Sequence, residues 1–197
     1  MSDPAADPLF AATVAERQRL AGLLRELTNE QWSHDSLCER WRVREVVAHI
    51  TAAYRHAPET VMAELAQARG DWNVVCDVLA QRDTANHSDA ELLASLVDNV
   101  AHPWQPPGGG QAAALSHDII HGLDITEPLG LPRAPVERVG LVLANVDATS
   151  LAFFGVDLTG RRLVASDLDW SIGDGPDRVE APAAELLLTI TGRRPLS

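Results

Sequence analysis

Apolar residues recur at helical spacing through most of the first two thirds of the chain. Over residues 9–27 the leucines and Val14 fall on one side of a helix, with arginines and glutamates between them, which predicts a first amphipathic helix. Residues 41–54 show the same spacing and predict a second helix. Pro58 is expected to kink or end this helix, and the pattern resumes as far as Leu65.

Four further helices are predicted downstream. A shorter helical piece follows Gly70, and Ser88 with Glu91 three residues later forms a capping signature that begins a helix reaching about Val100. The segment 102–110 is rich in proline and glycine and is predicted to be a loop. Helices are then expected from Gln111 to about Asp124 and from Val136 to about Phe154.

The pattern changes near the end of the chain. Residues 161–166 and 168–173 look like short strands, residues 173–177 have turn chemistry, and residues 181–192 predict a final helix. We therefore predict a mainly α protein. Residues 1–135 should form a helical bundle, and residues 136–197 a small C-terminal α+β segment.

Composition narrows the class of protein. The chain has 197 residues, 46% of them hydrophobic, which suffices for one ordinary core. A net charge of −12 argues against a nucleic-acid surface, which needs clustered positive charge. The acidic, proline-broken start is unlike a signal peptide, and no apolar stretch approaches the ~20 residues of a membrane span. With only two cysteines and no CxxC pattern, a cytoplasmic protein is expected; a homodimer stays open.

The candidate chemistry lies in three histidines. His117 and His121 are four residues apart, so on a helix both imidazoles point the same way. His49 stands on an otherwise apolar helical stripe, where a polar ring needs a partner to offset desolvation. If these rings converge, they would hold a divalent transition metal and leave a coordination position for water or substrate.

Simpler explanations exist for the same residues. A chain with seven histidines will sometimes place two of them four apart by chance, and His49 alone would more commonly be a satisfied core histidine. Asp124, three residues after His121, is positioned to accept the ring N–H that faces away from a metal, or it only caps the helix. His56 is a reserve ligand.

The residues that carry this pattern resemble a known family, the mycothiol-dependent maleylpyruvate isomerases, within the DinB-like metal-binding four-helix bundles. The resemblance is strongest at 41–50, with Trp32, Cys38 and 117–125, and continues more loosely from Gly160 to Arg193. It implies a DinB-like four-helix bundle in which His49 and His121 are metal ligands. His117 occupies the position of a glutamate in the family's ExxxH pair, so the ligand set here becomes all imidazole.

The resemblance also implies a mechanism. The metal, zinc first with nickel or iron as alternatives, binds the thiol of mycothiol and lowers its pKa, and the thiolate attacks a small electrophilic substrate in an isomerisation or a transfer. Cys38 and Cys76 are then expected to be core or interhelix residues rather than nucleophiles. Because all sixteen basic residues are arginine, the genome is expected to be GC-rich, which is compatible with the actinobacteria that make mycothiol.

Other roles stay open from the sequence. Arg161 and Arg193, each the first of an arginine pair, are candidates for binding a carboxylate substrate, although solvated arginines are the commoner explanation. A non-enzymatic bundle with a structural metal, or a module that binds a ligand in an apolar tunnel, would explain the same histidines. An open coordination position favours the enzyme, and a closed four-ligand site favours the structural metal.

Overall fold

The computed structural model describes residues 7–195 and confirms a mainly helical fold with a small C-terminal sheet. Residues 1–6, which form the acidic start of the chain, and residues 196–197 lie outside this range. The elements in chain order are α1 (Pro8–Arg25), α2 (Asn29–Trp32), α3 (Val43–Ile50), α4 (Ala52–Arg55), α5 (Pro58–Gln67), α6 (Trp72–Asn86), α7 (Asp89–Val97), α8 (Gly110–Leu129), α9 (Val136–Leu143), α10 (Ala148–Phe153), β1 (Arg161–Ala165), β2 (Ser171–Ile172), β3 (Asp177–Ala181) and α11 (Ala183–Ile190). Within 7–195, no helix combines the length and the apolar character needed to cross a membrane.

The N-terminal core lies between α1, α3, α7 and α8. Leu20 and Leu24 of α1 pack with Val46 and Val47 of α3, with α7 leucines and with Ile125 of α8, and all of these side chains are buried. α6 packs on the outside of α3. The Ser88–Glu91 capping box is present at the start of α7, as the sequence predicted. His49 lies in the last turn of α3, so the bundle core fixes the helix that carries it.

A second core joins α8 to the C-terminal segment. Leu115, Ile119 and Leu123 of α8 pack with residues of α9, β1 and α11, including the fully buried Leu163. α8 is therefore covered from both sides, which explains why its sequence is apolar over most of its length. The boundary between 1–135 and 136–197 stays a prediction, since both parts contribute to the surroundings of α8.

The sheet has the strand order β2-β1-β3, with β2 antiparallel and β3 parallel to β1. The sequence prediction missed β3 and placed its last residue in the final helix. β3 is an edge strand, and in Asp177–Ala181 only Val179 and Ala181 are apolar, so its pattern is too weak to identify it. The turn before β3 needs a glycine, because a Cβ on Gly175 would lie 1.9 Å from the Gly160 carbonyl carbon.

Four predicted element boundaries were wrong. The helix predicted over 136–154 is two helices, because Asp147 caps α10 through the Ser150 amide and starts a new helical segment. The predicted strand over 168–173 is paired only at Ser171–Ile172. The helix after Gly70 runs for 15 residues instead of a short piece, and α8 extends past Asp124 to Gly130, whose φ of 62° ends it.

Candidate metal centre

His49, His117 and His121 lie together, although they come from α3 and α8. Their ring centroids are 4.7 Å apart for His49 and His121, 4.8 Å for His117 and His121, and 5.1 Å for His49 and His117. One ring nitrogen from each residue lies within 4.8 Å of the others. The three histidines therefore have the proximity that one shared ion requires. Their assignment as metal ligands stays a prediction.

The distance between two ring nitrogens fits metal coordination. Nε2 of His49 and Nε2 of His117 are 3.2 Å apart. Two nitrogens bound to one tetrahedral Zn²⁺ at 2.0–2.1 Å are about 3.3 Å apart. The helices thus hold these two atoms at nearly the separation that a zinc ion would impose.

Carboxylates engage the other ring nitrogen of each α8 histidine. Nδ1–H of His117 donates to Asp118 at 2.9 Å, and Nδ1–H of His121 donates to Asp124 at 2.9 Å. An ionised carboxylate only accepts hydrogen bonds, so both Nδ1 atoms must carry the proton. The Nε2 lone pairs are then directed away from the carboxylates and are available to a metal.

Asp124 is held by an arginine from the C-terminal end of the chain. Arg193, just after α11, donates from Nε and Nη2 to the two oxygens of Asp124, each at 3.0 Å. Burial tends to raise the pKa of Asp124, but the hydrogen bonds from His121 and Arg193 outweigh it and the pKa is lowered. Asp124 is therefore ionised at neutral pH and accepts the hydrogen bond from His121 in that form.

The local electrostatics favour neutral imidazoles. Burial lowers the pKa of His49 well below its ordinary value, and the neighbouring His121 and His117 lower it further. Burial also lowers the pKa of His121, although Asp124 opposes this effect. Neutral imidazole is the form that binds transition metals. These two rings are thus in the ligating form near pH 7.

The three rings are enclosed but not sealed. Trp41 packs on His49 with ring centroids 5.1 Å apart, and Trp104 contacts His117 edge-on at 5.2 Å. The side chains of His117 and His121 each keep 14% of their surface exposed. The side chains of His117 and His121 therefore stay partly accessible to solvent next to these two aromatic rings.

Cys38 lies beside the site, a position that the sequence prediction had not assigned to it. Its Sγ donates to Asp124 at 3.0 Å and is 3.9 Å from Nδ1 of His121. Burial, followed by the nearby charge of Asp124, raises the pKa of the Cys38 thiol to about 12. Cys38 is thus a protonated hydrogen-bond donor at neutral pH, and it stands on the Nδ1 side of His121, opposite the Nε2 atom.

The other predicted residues have different surroundings. Arg193 contacts the site through Asp124, and its binding of a carboxylate substrate stays a prediction. The same prediction stays open for Arg161, which lies opposite Asp177 in the pairing of β1 with β3. The reserve ligand His56 contacts Asp83 at 3.0 Å in a separate cluster with Arg55. Cys38 was among the residues that carry the family resemblance, but the sequence analysis gave it no role at the site.

A cavity of about 240 Å³ lies on another side of α8, between α8, the α9–α10 region and α11. Its lining is mostly apolar and includes Ile120, Val142, Leu151 and Leu187; the polar residues in the lining are Ser116, Asn145, Ser150 and Thr191. The three histidines are not among its lining residues. This cavity and the histidine cluster are therefore separate features of α8.

Comparison with known proteins agrees with this architecture. Residues 13–104 match the family model described as mycothiol maleylpyruvate isomerase N-terminal domain. This match includes His49 but stops before α8. No curated protein gives a significant match to the chain.

Two solved structures have the same fold. A histidine-to-alanine mutant of the mycothiol-dependent maleylpyruvate isomerase aligns with a TM-score of 0.56 and 13% identity, and another structure of that isomerase aligns with 0.50 and 15%. Each alignment covers 98% of this chain and 93% of the isomerase chain. The shared fold thus extends through the C-terminal segment. The family match over residues 13–104 and the shared fold confirm the resemblance to the mycothiol maleylpyruvate isomerases that was inferred from the sequence.

Proposed function

We propose that this protein is a metal-dependent enzyme that uses a low-molecular-weight thiol of the mycothiol type to isomerise, or to transfer the thiol to, a small electrophilic substrate. His49, His117 and His121 would hold the divalent cation, with zinc first and nickel or iron as alternatives. The observation that carries the proposal is the 3.2 Å separation of the His49 and His117 Nε2 atoms, with Nδ1 of His117 engaged by Asp118. The match to the family's N-terminal domain and the fold shared with the isomerase support the thiol and the isomerisation chemistry.

The donor set suits an open, reactive site. Three imidazoles are the protein ligands of some catalytic zinc sites, which keep a fourth position for water or substrate. Cys38 and Asp124, also near His121, contact its Nδ1 side and so do not complete a closed four-ligand site around Nε2. The partial exposure of His117 and His121 gives the fourth position access to solvent. These features favour a catalytic over a structural metal.

A bound divalent cation lowers the pKa of a coordinated thiol, so that thiolate is available near neutral pH. The protein's own residues prepare the site for this chemistry. Asp118 and Asp124 fix the tautomers of His117 and His121, and the lowered pKa values of His49 and His121 keep protons from competing for the ligand nitrogens. Cys38 stays protonated, which disfavours this cysteine as the nucleophile and is compatible with a nucleophile supplied by a bound thiol.

Metal analysis tests the ligand assignment directly. The protein is purified without a metal-affinity column, and its metal content is measured for wild type, His49→Ala, His121→Ala and the control His34→Ala, which replaces an exposed histidine. We expect about one ion per chain in wild type and His34→Ala, and near-complete loss in the other two. Unchanged stoichiometry in His121→Ala would contradict the site.

Turnover tests the chemistry separately. Metal-loaded and metal-free wild type are each incubated with maleylpyruvate, with and without mycothiol, and isomerisation is followed. Dependence on both the metal and the thiol is expected. Isomerisation that proceeds equally without thiol would contradict the proposed use of the cofactor, while leaving the metal site intact.

A further inference from the structure

Arg17 is a buried cation in the middle of α1. Its side chain is 2% exposed, and Nε donates to Asp118 at 2.6 Å. Nη1 donates to the carbonyl oxygen of His102 at 2.7 Å and to that of Val100 at 3.4 Å. Arg17 therefore joins α1, α8 and the segment 100–104 that precedes α8.

The geometry of α8 explains why Asp118 needs this partner. Asp118 directly follows His117, and consecutive residues on a helix do not face each other. Asp124, by contrast, is three residues from His121 and shares its face. The Asp118 carboxylate must therefore be drawn toward Nδ1 of His117 from outside the helix, and Arg17 makes that contact.

The burial of Arg17 is poorly explained by stability alone. Replacing a buried ion pair by packed apolar side chains is often neutral or stabilising. In addition, two polar groups here are buried without a protein hydrogen-bond partner, Nη2 of Arg17 and the hydroxyl of Tyr54. The two side chains are neighbours, since the Arg17 guanidinium carbon lies 5.7 Å from the centroid of the Tyr54 ring. Such groups are costly to bury. A function that requires the guanidinium at this place would account for its retention.

The segment held by Arg17 also reaches the histidines. The backbone N–H of Trp104 donates to Nδ1 of His102 at 3.1 Å, and the Trp104 ring contacts His117. The His102 ring packs on Tyr54 at 4.9 Å. Arg17 thus contacts both Asp118, the carboxylate bound to His117, and the backbone of the segment that carries Trp104, the aromatic residue packed on His117.

We propose that Arg17 is a positioning residue for the metal centre, which acts through Asp118 to fix His117 and through the His102 carbonyl to hold Trp104 beside it. The inference rests on the proposed function, since it assigns the support of one proposed ligand. It adds a residue from α1 to a site whose ligands lie on α3 and α8. It also gives Asp118 and Arg17 roles that differ and can be separated by mutation.

Two variants separate the two contacts of Arg17. Asp118→Asn is nearly isosteric; it alters the contacts of this side chain with His117 and Arg17 but leaves the hydrogen bond from Arg17 to the His102 carbonyl. Arg17→Met removes both contacts of Arg17. Arg138→Met is the matched control, because Arg138 pairs with buried Glu16 on the same helix α1 and Glu16 keeps Arg19 as a partner. Arg17→Lys tests rescue by a shorter cation.

Three measurements are made on each folded protein. We expect the dissociation constant for Zn²⁺, measured by chelator competition, to rise about 10- to 100-fold in Asp118→Asn and Arg17→Met, with partial recovery in Arg17→Lys and no change in Arg138→Met. The ¹⁵N chemical shifts of metal-free protein should report the Nδ1–H tautomer of His117 in wild type and its loss in Asp118→Asn. Amide hydrogen exchange over 100–104 should quicken in Arg17→Met but not in Asp118→Asn.

The outcomes distinguish this inference from the proposed function. Wild-type protein that binds no Zn²⁺ overturns the proposed function, but the His117 tautomer and hydrogen exchange still test Arg17 in the metal-free state. Wild-type protein that binds Zn²⁺, with affinity and tautomer unchanged in Asp118→Asn, overturns the inference. If Arg17→Met does not fold, the Zn²⁺ affinities of Asp118→Asn and Arg17→Lys test whether Arg17 positions His117.

Discussion

Arg193 binds Asp124 through two hydrogen bonds of 3.0 Å each, across 69 residues of sequence. Asp124 in turn accepts from His121 and from the Cys38 thiol. A residue after the last helix therefore controls the carboxylate that orients a histidine in the proposed metal centre. The C-terminal segment is in this way tied to the site.

Arg193→Met is expected to weaken metal binding by about 10- to 100-fold, because Asp124 loses the partner that fixes its orientation. Zinc affinity measured by chelator competition checks this. Arg194→Met is the matched control, since the neighbouring Arg194 pairs instead with Glu127 and Glu185. Equal affinity in wild type and Arg193→Met would show that Asp124 does not need the arginine.

Cys38→Ala distinguishes between two candidate metal-ligand sets in the structure, the three histidines and the set Cys38, His121 and Asp124. We expect metal content to stay unchanged, because the raised pKa of Cys38 disfavours the thiolate that binds metals. Cobalt-substituted wild type should lack a thiolate-to-metal absorption band when no external thiol is present. Cys76→Ala serves as the control, and loss of metal in Cys38→Ala alone would favour the second set.

The metal-free protein should lose stability as the pH falls below about 6.5. The pKa values of His49 and His121 are lowered by folding, so in this range the unfolded chain binds more protons than the folded one. The contribution of these two histidines to the free energy of unfolding is complete above about pH 6.5 and declines as the pH falls toward their pKa values in the folded protein. Each such proton contributes a slope of up to about 1.4 kcal/mol per pH unit in the free energy of unfolding.

Urea unfolding in the presence of a chelator, between pH 5 and pH 8, measures this slope. His49→Gln removes one of the titrating groups and leaves His102, whose pKa is also lowered by burial, in both proteins. The variant should show the smaller slope. A slope equal to that of wild type would mean that His49 is not the residue that takes up the proton.

Leu163→Ala should destabilise the protein by about 2–5 kcal/mol, because Leu163 of β1 is fully buried in the core that α8 shares with the C-terminal segment. Leu141→Ala, at a position that is 37% exposed, should change stability by no more than about 0.5 kcal/mol. Urea unfolding at neutral pH compares the two. A small effect of Leu163→Ala would indicate that the segment packs only weakly on α8.

Several features of the fold and site were predictable from local sequence. The helical period identified the amphipathic helices, and the Ser88–Glu91 spacing marked the start of α7. The spacing of His117 and His121 placed both rings on one face of α8, since helical geometry relates residues four apart. Arg17 carried a weak signal as well, because it falls on the same face of α1 as Leu20 and Leu24.

Only the tertiary structure decided which residues from distant parts of the chain meet. The pairing of β3 with β1, the approach of His49 to His117, and the contacts of Arg17, Cys38 and Arg193 with the α8 carboxylates are all non-local. Periodicity reports which face of an element is buried, but it does not say against what that face packs. The sequence by itself determined the kinds of side chain available for a metal site, while the packing of α1, α3 and α11 around α8 determined how those side chains are held.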